Sequence, residues 1–339
     1  MSEKKCEHPE NYMKIIEVIN LSKKYGEFTA VDKINFQIDK GEIFGFLGPN
    51  GAGKTTTINI LTGLAKITSG EVKINKIDCK KDIRKAQKYI GVVASESNLY
   101  PELNGFENLS FAASLYGLRK AEREKRARDL LEKFDLLKFG RLPFSAYSKG
   151  MKRKLTIAAG IIHKPDILFL DEPTTGIDVA SARQIRKLIL DLNSNGTTIF
   201  LTTHYIEEAE RLCDRIAFIV AGKIKHIDHT EILINNAQKD NIIEFTVNRT
   251  RELEKKIIKD AIINKLANYK VSFLENKIRI HTPGISKLKV FIDIFNDLKF
   301  EVYEAKLIKP SLEDIFVDIT GIGLAEMKNE SSKKGGKVG

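Results

Sequence analysis

Residues 48–55 read Gly48-Pro49-Asn50-Gly51-Ala52-Gly53-Lys54-Thr55. The spacing G-x-x-x-x-G-K-[ST] is that of a phosphate-binding loop. Glycines let backbone N–H groups turn inward around an anion with no Cβ in the way. Lys54 adds a point charge for the outer phosphates, and the Thr55 hydroxyl suits Mg²⁺. The flanks fit as well. Glu42-Ile43-Phe44-Gly45-Phe46-Leu47 is a short, mostly apolar run before the loop, and Thr55-Thr56-Thr57-Ile58-Asn59-Ile60-Leu61 has helical spacing after it. A strand–loop–helix unit aims a helix N-terminus at the phosphates.

Beyond the loop the chain alternates strands and helices. Strand-like runs lie at 15–19 and 28–38, with a turn at Lys24-Tyr25-Gly26. Strand signals return at 167–170, 198–201 and 216–220, with helical segments between them. That alternation predicts an α/β fold on a mostly parallel sheet. Residues 99–163 carry helical spacing, for example Leu130, Leu131, Phe134 and Leu137, and read as a helical insert. A second pattern starts near residue 237. Strands at 242–247, 271–274, 277–280 and 300–308 enclose helical segments at 252–267 and 286–298, with a tight turn at Glu275-Asn276. The order βαββαβ is ferredoxin-like, an α+β arrangement. A last short helix starts at Ser311, its N-cap. Residues 1–13 and 321–339 read as polar tails, the latter Lys/Gly/Ser-rich. A length of 339 residues fits two domains, here 14–236 and 237–320.

Composition narrows the class. Hydrophobic residues make up 42% and charged residues 30%, the mix of a globular chain. The longest apolar runs fall short of the roughly 20 residues of a membrane span, and no leader-like apolar segment opens the chain. Cys6, Cys79 and Cys213 are scattered and odd in number, which fits reduced thiols. The net charge of +11 admits nucleic acid or an anionic surface. The cations are interleaved with acids, as in Lys120 to Arg128, with no aromatic stacking platform. They read as solvated helix faces, and no nucleic-acid partner is expected. His226-x-x-His229 with Asp228 lacks thiol partners and reads as a solvated loop rather than a metal site.

Three downstream segments give the loop a chemistry. In Asp166-Ile167-Leu168-Phe169-Leu170-Asp171-Glu172-Pro173, Asp171 emerges at the C-terminal end of a buried strand, where open α/β sheets place their ligands. Asp171 suits Mg²⁺, and Glu172 suits positioning or deprotonating an attacking water. Tyr147-Ser148-Lys149-Gly150-Met151 opens a helix whose N-terminus is either a plain Ser cap or an anion site. His204 follows the strand at 198–201 and is placed to touch a γ-phosphate.

In this order the segments resemble the nucleotide-binding subunit of an ATP-binding cassette (ABC) transporter, over residues 14–236. The phosphate loop resembles Walker A, Tyr147 to Met151 the signature loop, Ile167 to Glu172 Walker B, Gly176-Ile177-Asp178 the D-loop, and His204 the switch histidine. The wording around Lys149–Arg153, Thr203-His204-Tyr205 and Pro310 to Phe316 looks most like drug, polyketide or lipid-type exporters whose permease is a separate chain. The resemblance implies a P-loop ABC-type ATPase core with a helical subdomain, ATP and Mg²⁺ as cofactors, and hydrolysis coupled to export. It implies a homodimer, or a heterodimer with a paralogous cassette, docked on an integral-membrane permease at the cytoplasmic face. ATP would contact Gly48 to Thr55, Thr56 and Asp178, with Tyr25 stacking on adenine, and Ser148 and Gly150 of a second subunit. Lys54, Glu172 and His204 would act on the γ-phosphate, and Thr55 and Asp171 would hold the metal. The chain departs from the pattern at Lys149 and Met151, and at Ser95, where the family places a Gln that reaches Mg²⁺ and the permease. The shorter Ser95 implies a bridging water in the metal role. A non-transport ABC ATPase acting on nucleic acid or ribosomes is the competing reading; it fits the charge but lacks tandem cassettes and long coiled-coil inserts.

Overall fold

The computed structural model describes residues 13–237, 240–247, 252–265, 269–274, 277–283 and 288–323. Most of the two polar tails, and the turn at Glu275-Asn276, lie outside the described residues. The chain divides into two compact units, one reaching Asp228 and one spanning His229–Gly321.

The first unit opens with an antiparallel hairpin, β1 (Lys14–Tyr25) and β2 (Phe28–Asp39). The first strand runs six residues past the expected end at Ile19. Register shifts beyond Val18, with Asn20 at φ 47°, absorb a break in the apolar alternation there. Tyr25 is therefore the last strand residue rather than the middle of a turn. Next come β3 (Ile43–Leu47), α1 (Lys54–Leu61), β4 (Ser69–Ile74), β5 (Ile77–Asp78), α2 (Cys79–Gln87) and β6 (Ile90–Val93). The helical region follows as α3 (Gly105–Leu115), α4 (Lys120–Lys133) and α5 (Lys149–Ile161), with α3 packed on both of the others. Asn104 and Glu107 close the α3 N-terminus as a reciprocal capping box. The unit ends with β7 (Ile167–Asp171), α6 (Val179–Ser194), β8 (Thr198–Thr203), α7 (Ile206–Leu212), β9 (Arg215–Val220) and β10 (Lys223–His229). The two histidines read as loop residues thus lie on a strand, with His226 Nε2 3.7 Å from Asp228 Oδ2.

A four-stranded sheet runs β2-β1-β4-β5, and a six-stranded sheet runs β10-β9-β3-β8-β7-β6. The pairs β9–β3, β3–β8, β8–β7 and β7–β6 are all parallel. Central strands of such a sheet are covered on both faces, which is why β3 and β7 are buried at every position and apolar until the last residue of β7. Phe36, Phe44, Phe46, Phe169 and Phe200 interlock with ring centroids 5.4–6.0 Å apart. Each buried ring contributes about 1.5–3 kcal/mol. This core holds β3, β7 and β8 rigid, and their C-terminal ends carry the site.

The second unit comprises α8 (Thr230–Ala237), β11 (Asp240–Val247), α9 (Glu252–Lys265), β12 (Lys270–Leu274), β13 (Lys277–Pro283), α10 (Leu288–Asp297), β14 (Val302–Ile308) and α11 (Leu312–Thr320). Its sheet order is β12-β13-β11-β14, and every adjacent pair is antiparallel. Ile243, Phe245 and Val247 alternate inward against Ile258, Ile262, Phe291, Ile294 and Phe295. Ser311 and Asp314 cap α11 reciprocally. The unit begins at His229, ahead of the pattern change near residue 237, because α8 packs on α11. No helix among the described residues is long and apolar enough to cross a membrane.

Candidate active site

The C-terminal ends of β3, β7 and β8 bring together the phosphate loop, Asp171–Glu172 and His204. The loop passes from β3 into α1. Gly53 stands at φ 105°, and a Cβ there would lie 2.6 Å from the Ala30 carbonyl oxygen. Both facts require glycine. The loop backbone is braced by Gly48 N–H to Thr203 O at 3.3 Å and Gly222 N–H to Ala52 O at 3.0 Å. Gly48, Pro49, Ala52 and Gly53 are buried, whereas Gly51 and Thr55 are exposed at the mouth.

Lys54 is buried, and its ammonium donates to Gly48 O at 2.8 Å and Pro49 O at 3.1 Å. It also stands 3.4 Å from Glu172 Oε1. Burial pushes the Lys54 pKa below its ordinary value, and the carboxylates of Glu172 and Asp171 oppose that shift. The ammonium is thus held at the loop by two carbonyl oxygens and a carboxylate, partners that an outer phosphate oxygen would replace.

Thr55 Oγ1 donates to Asp171 Oδ2 at 2.9 Å, and Thr202 Oγ1 donates to Asp171 Oδ1. A hydroxyl and a carboxylate thus converge on one point. Hard oxygen donors of this kind suit Mg²⁺, so the residues fit the metal role expected of Thr55 and Asp171.

Glu172 occupies the bend after β7 at φ 48°, a left-handed conformation that costs a non-glycine residue energy. Its N–H donates to Thr202 O at 3.0 Å, and Thr175 Oγ1 donates to its Oε2 at 3.2 Å. His204 Nδ1 lies 3.1 Å from Oε1, but the ring N–H is not aligned for a hydrogen bond, so we treat the contact as electrostatic. Burial pushes the Glu172 carboxyl up; the contacts with His204 and Lys54 outweigh it and hold the pKa at about 2. The group is a carboxylate at neutral pH.

Ser148 caps α5, its hydroxyl accepting from Met151 N at 3.3 Å. The N–H groups of Lys149 and Gly150 fall in the first turn, where a helix supplies no acceptor. Gly150 is buried: a Cβ there would lie 2.3 Å from Ser181 Oγ, so its hydrogen permits α5 to meet α6. Asp178 caps α6, accepting from Ser181 N at 2.9 Å. Tyr25 is 50% exposed, with Lys23 Nζ 4.6 Å from the ring centroid on one face. Thr56 is half-buried on α1, and Ser95 is exposed just beyond β6.

Arg153 and Glu208 are not legible as site residues in the sequence. Arg153, in the run Lys152-Arg153-Lys154, is buried and donates to Pro173 O at 2.9 Å, Asp171 O at 2.6 Å, Ser95 O at 3.3 Å and Ala94 O. Glu208 on α7 is buried and accepts from Thr174 Oγ1 at 2.6 Å, and burial raises its pKa. A cation run and a Glu-Glu pair on helices look like solvated faces; only burial in three dimensions separates them from one.

Residues 31–175 match the family model described as ABC transporter. The linearmycin resistance ATP-binding protein LnrL of Bacillus subtilis (strain 168) is 38% identical over 314 residues, covering 91% of this chain and 98% of that protein. The daunorubicin resistance ATP-binding protein DrrA2 of Streptomyces coeruleorubidus is 34% identical, covering 89% and 93% respectively. Among solved structures, a dimeric ATP-binding cassette in a post-hydrolysis state with ADP and Pi superposes with a TM-score of 0.59 at 29% identity, covering 63% of this chain and 98% of that one. The ABC transporter ATP-binding subunits, which are ATPases, are therefore the family to which this chain belongs.

Proposed function

We propose that this chain drives export of an antibiotic-like molecule through a separate permease, as a peripheral subunit on the cytoplasmic face of the membrane. The observation that carries the ATPase part is the Lys54–Glu172–His204 cluster at the mouth of the phosphate loop. The export direction rests on the resistance proteins to which the chain is similar over almost its whole length. Their names favour transport over action on nucleic acid.

ATP would lie on Gly48–Thr55 and Thr56, with adenine on the free face of Tyr25 and the outer phosphates at Lys54. Thr55 and Asp171 would hold Mg²⁺, which neutralises phosphate charge when bound; a role for Ser95 in metal binding would need a bridging water. With a pKa of about 2, Glu172 is a weak base and is suited first to orienting water. As Lys54 turns to the phosphates, the carboxylate loses a stabilising charge and becomes more basic. His204, already beside Glu172, is placed to meet the same γ-phosphate.

The phosphate loop leaves one side of the triphosphate open. Ser148 and Gly150 of a second copy, or of a paralogous cassette, would close it with a helix N-terminus and exclude water. Asp178 serves this by setting the start of α6 against Gly150. Exposed Tyr100, Phe111 and Leu115, just beyond the Ser95 segment, form an apolar face for the permease. The sequence reading takes residues 14–236 as the cassette and 237–320 as an accessory domain, and the packing of α8 on α11 favours starting the accessory domain at His229. Strand order β12-β13-β11-β14 supports reading that accessory domain as ferredoxin-like.

A Glu172→Gln chain tests the composite site. It should bind ATP and dimerise in its presence by size-exclusion chromatography, and wild type should co-purify with a membrane subunit from native membranes. Tight ATP binding without any association would sink the two-copy arrangement, and salt-sensitive nucleic-acid stimulation of hydrolysis would favour the rival reading.

A further inference from the structure

We propose that Arg153 is a positioning residue for ATP hydrolysis, tying the backbone of the Ser95 segment to the backbone that carries Asp171 and Glu172. The inference rests on the ATPase reading above. A guanidinium offers five N–H donors in a planar fork and no acceptor. Here three nitrogens reach four main-chain carbonyls. Nη1 serves Ala94 and Ser95, Nη2 serves Asp171, and Nε serves Pro173. Two of these carbonyls bracket Glu172, the residue in the left-handed bend. A strained turn persists only where its surroundings over-determine it, and one side chain fixes both of its ends.

The other end of the tether is the Ser95 segment, whose own side chain is exposed and short. Arg153 also lies one turn into α5, behind the Ser148–Gly150 terminus. A shift of the Ser95 segment or of α5 therefore displaces the carbonyls on either side of Glu172. Burial pushes the Arg153 pKa down, and Asp171, Glu208 and Glu172 oppose that shift. Lysine has a single ammonium with three donors and no planar fork, so it cannot serve all four carbonyls at once.

The test uses the full-length chain with Arg153→Lys and Arg153→Met. Turnover is measured per nucleotide-competent molecule while ATP and Mg²⁺ are varied, and affinity is measured with a non-hydrolysable ATP analogue. Both variants should lose at least about tenfold in kcat, because small displacements of a positioned group are costly, with affinity changed less than about threefold. The Mg²⁺ concentration for half-maximal rate should rise, and Lys should keep more activity than Met. A turnover within about twofold of wild type, or rate and affinity falling in proportion, overturns the assignment. Should both variants fail to fold, amide exchange in wild type decides. MgATP must change protection at 94–97 and 172–175 together, and independent responses overturn the tether. Absence of hydrolysis by wild type would instead remove the ATPase reading on which the tether rests.

Discussion

Glu172 and Glu244 are both shielded carboxylates facing cations, and they serve different ends. Glu244 sits mid-strand on β11, opposite Arg279 on β13 and Lys306 on β14. Its oxygens lie 2.8 Å from Arg279 Nε, 3.0 Å from Lys277 Nζ and 3.5 Å from Lys306 Nζ. Burial pushes its pKa up, and the Arg279 and Lys277 contacts outweigh that and hold it down. Antiparallel register sets Arg279 and Lys306 opposite it, and Asp314 holds Arg279 from the other side at 2.8 Å. Glu172 stands past the end of a parallel strand, on a strained bend, and its partners are Lys54 and His204. Both of those stand at the phosphate loop, where a bound phosphate would compete with the carboxylate for them. A buried acid becomes a working group when its counter-ions have somewhere else to go.

The contrast breaks most visibly through turnover. Replacing Glu172 with Gln should lower ATP hydrolysis by about 100-fold or more, the scale of a lost general base. Its urea unfolding free energy should change by less than about 1 kcal/mol, because Gln keeps the shape and Lys54 keeps its carbonyls. Equal loss of stability would make Glu172 a second structural acid.

The opposite signature belongs to Glu244→Ala. Three cations lose one carboxylate, but Arg279 keeps Asp314, Lys306 keeps Glu304, and Lys277 and Lys306 are 38% and 44% exposed and partly screened. The cost in urea unfolding should be about 2 kcal/mol, below that of a fully buried pair, with turnover per folded molecule unchanged.

The smallest effect is in acid. The folded Glu172 pKa of about 2 lies below the unfolded value of 4.5, so the stabilisation is complete above about pH 5 and is lost as pH falls toward 2. Between pH 5 and pH 3, about half of that screened stabilisation is released, so Glu172→Gln should lose about 0.5 kcal/mol less stability than wild type. Identical acid slopes would mean that the Lys54 and His204 contacts do not hold the carboxylate ionised.

The legible part of this molecule is what local chemistry dictates. The phosphate loop, the apolar strand into Asp171, His204 after β8 and the Ser311 cap each announce themselves within about ten residues of sequence. The missed parts depend on distant segments meeting. The length of β1 turns on bulges around Asn20, which mimic a strand end. Arg153 reads as one cation among three until Asp171, Pro173 and the Ser95 segment are folded around it. Gly150 reads as part of an anion site, yet its contact with Ser181 also makes it a packing position. Asp178 reads as a D-loop acid and is occupied as a helix cap.

Arg153 grips only main-chain oxygens, and every residue has one. Sequence drift at positions 94, 95 and 173 leaves this grip intact, whereas a change at 153 removes it at all of them. A chain built this way tolerates Ser at position 95, because the link does not depend on which side chain stands there. For redesign, it follows that position 95 is open to substitution, and position 153 is not.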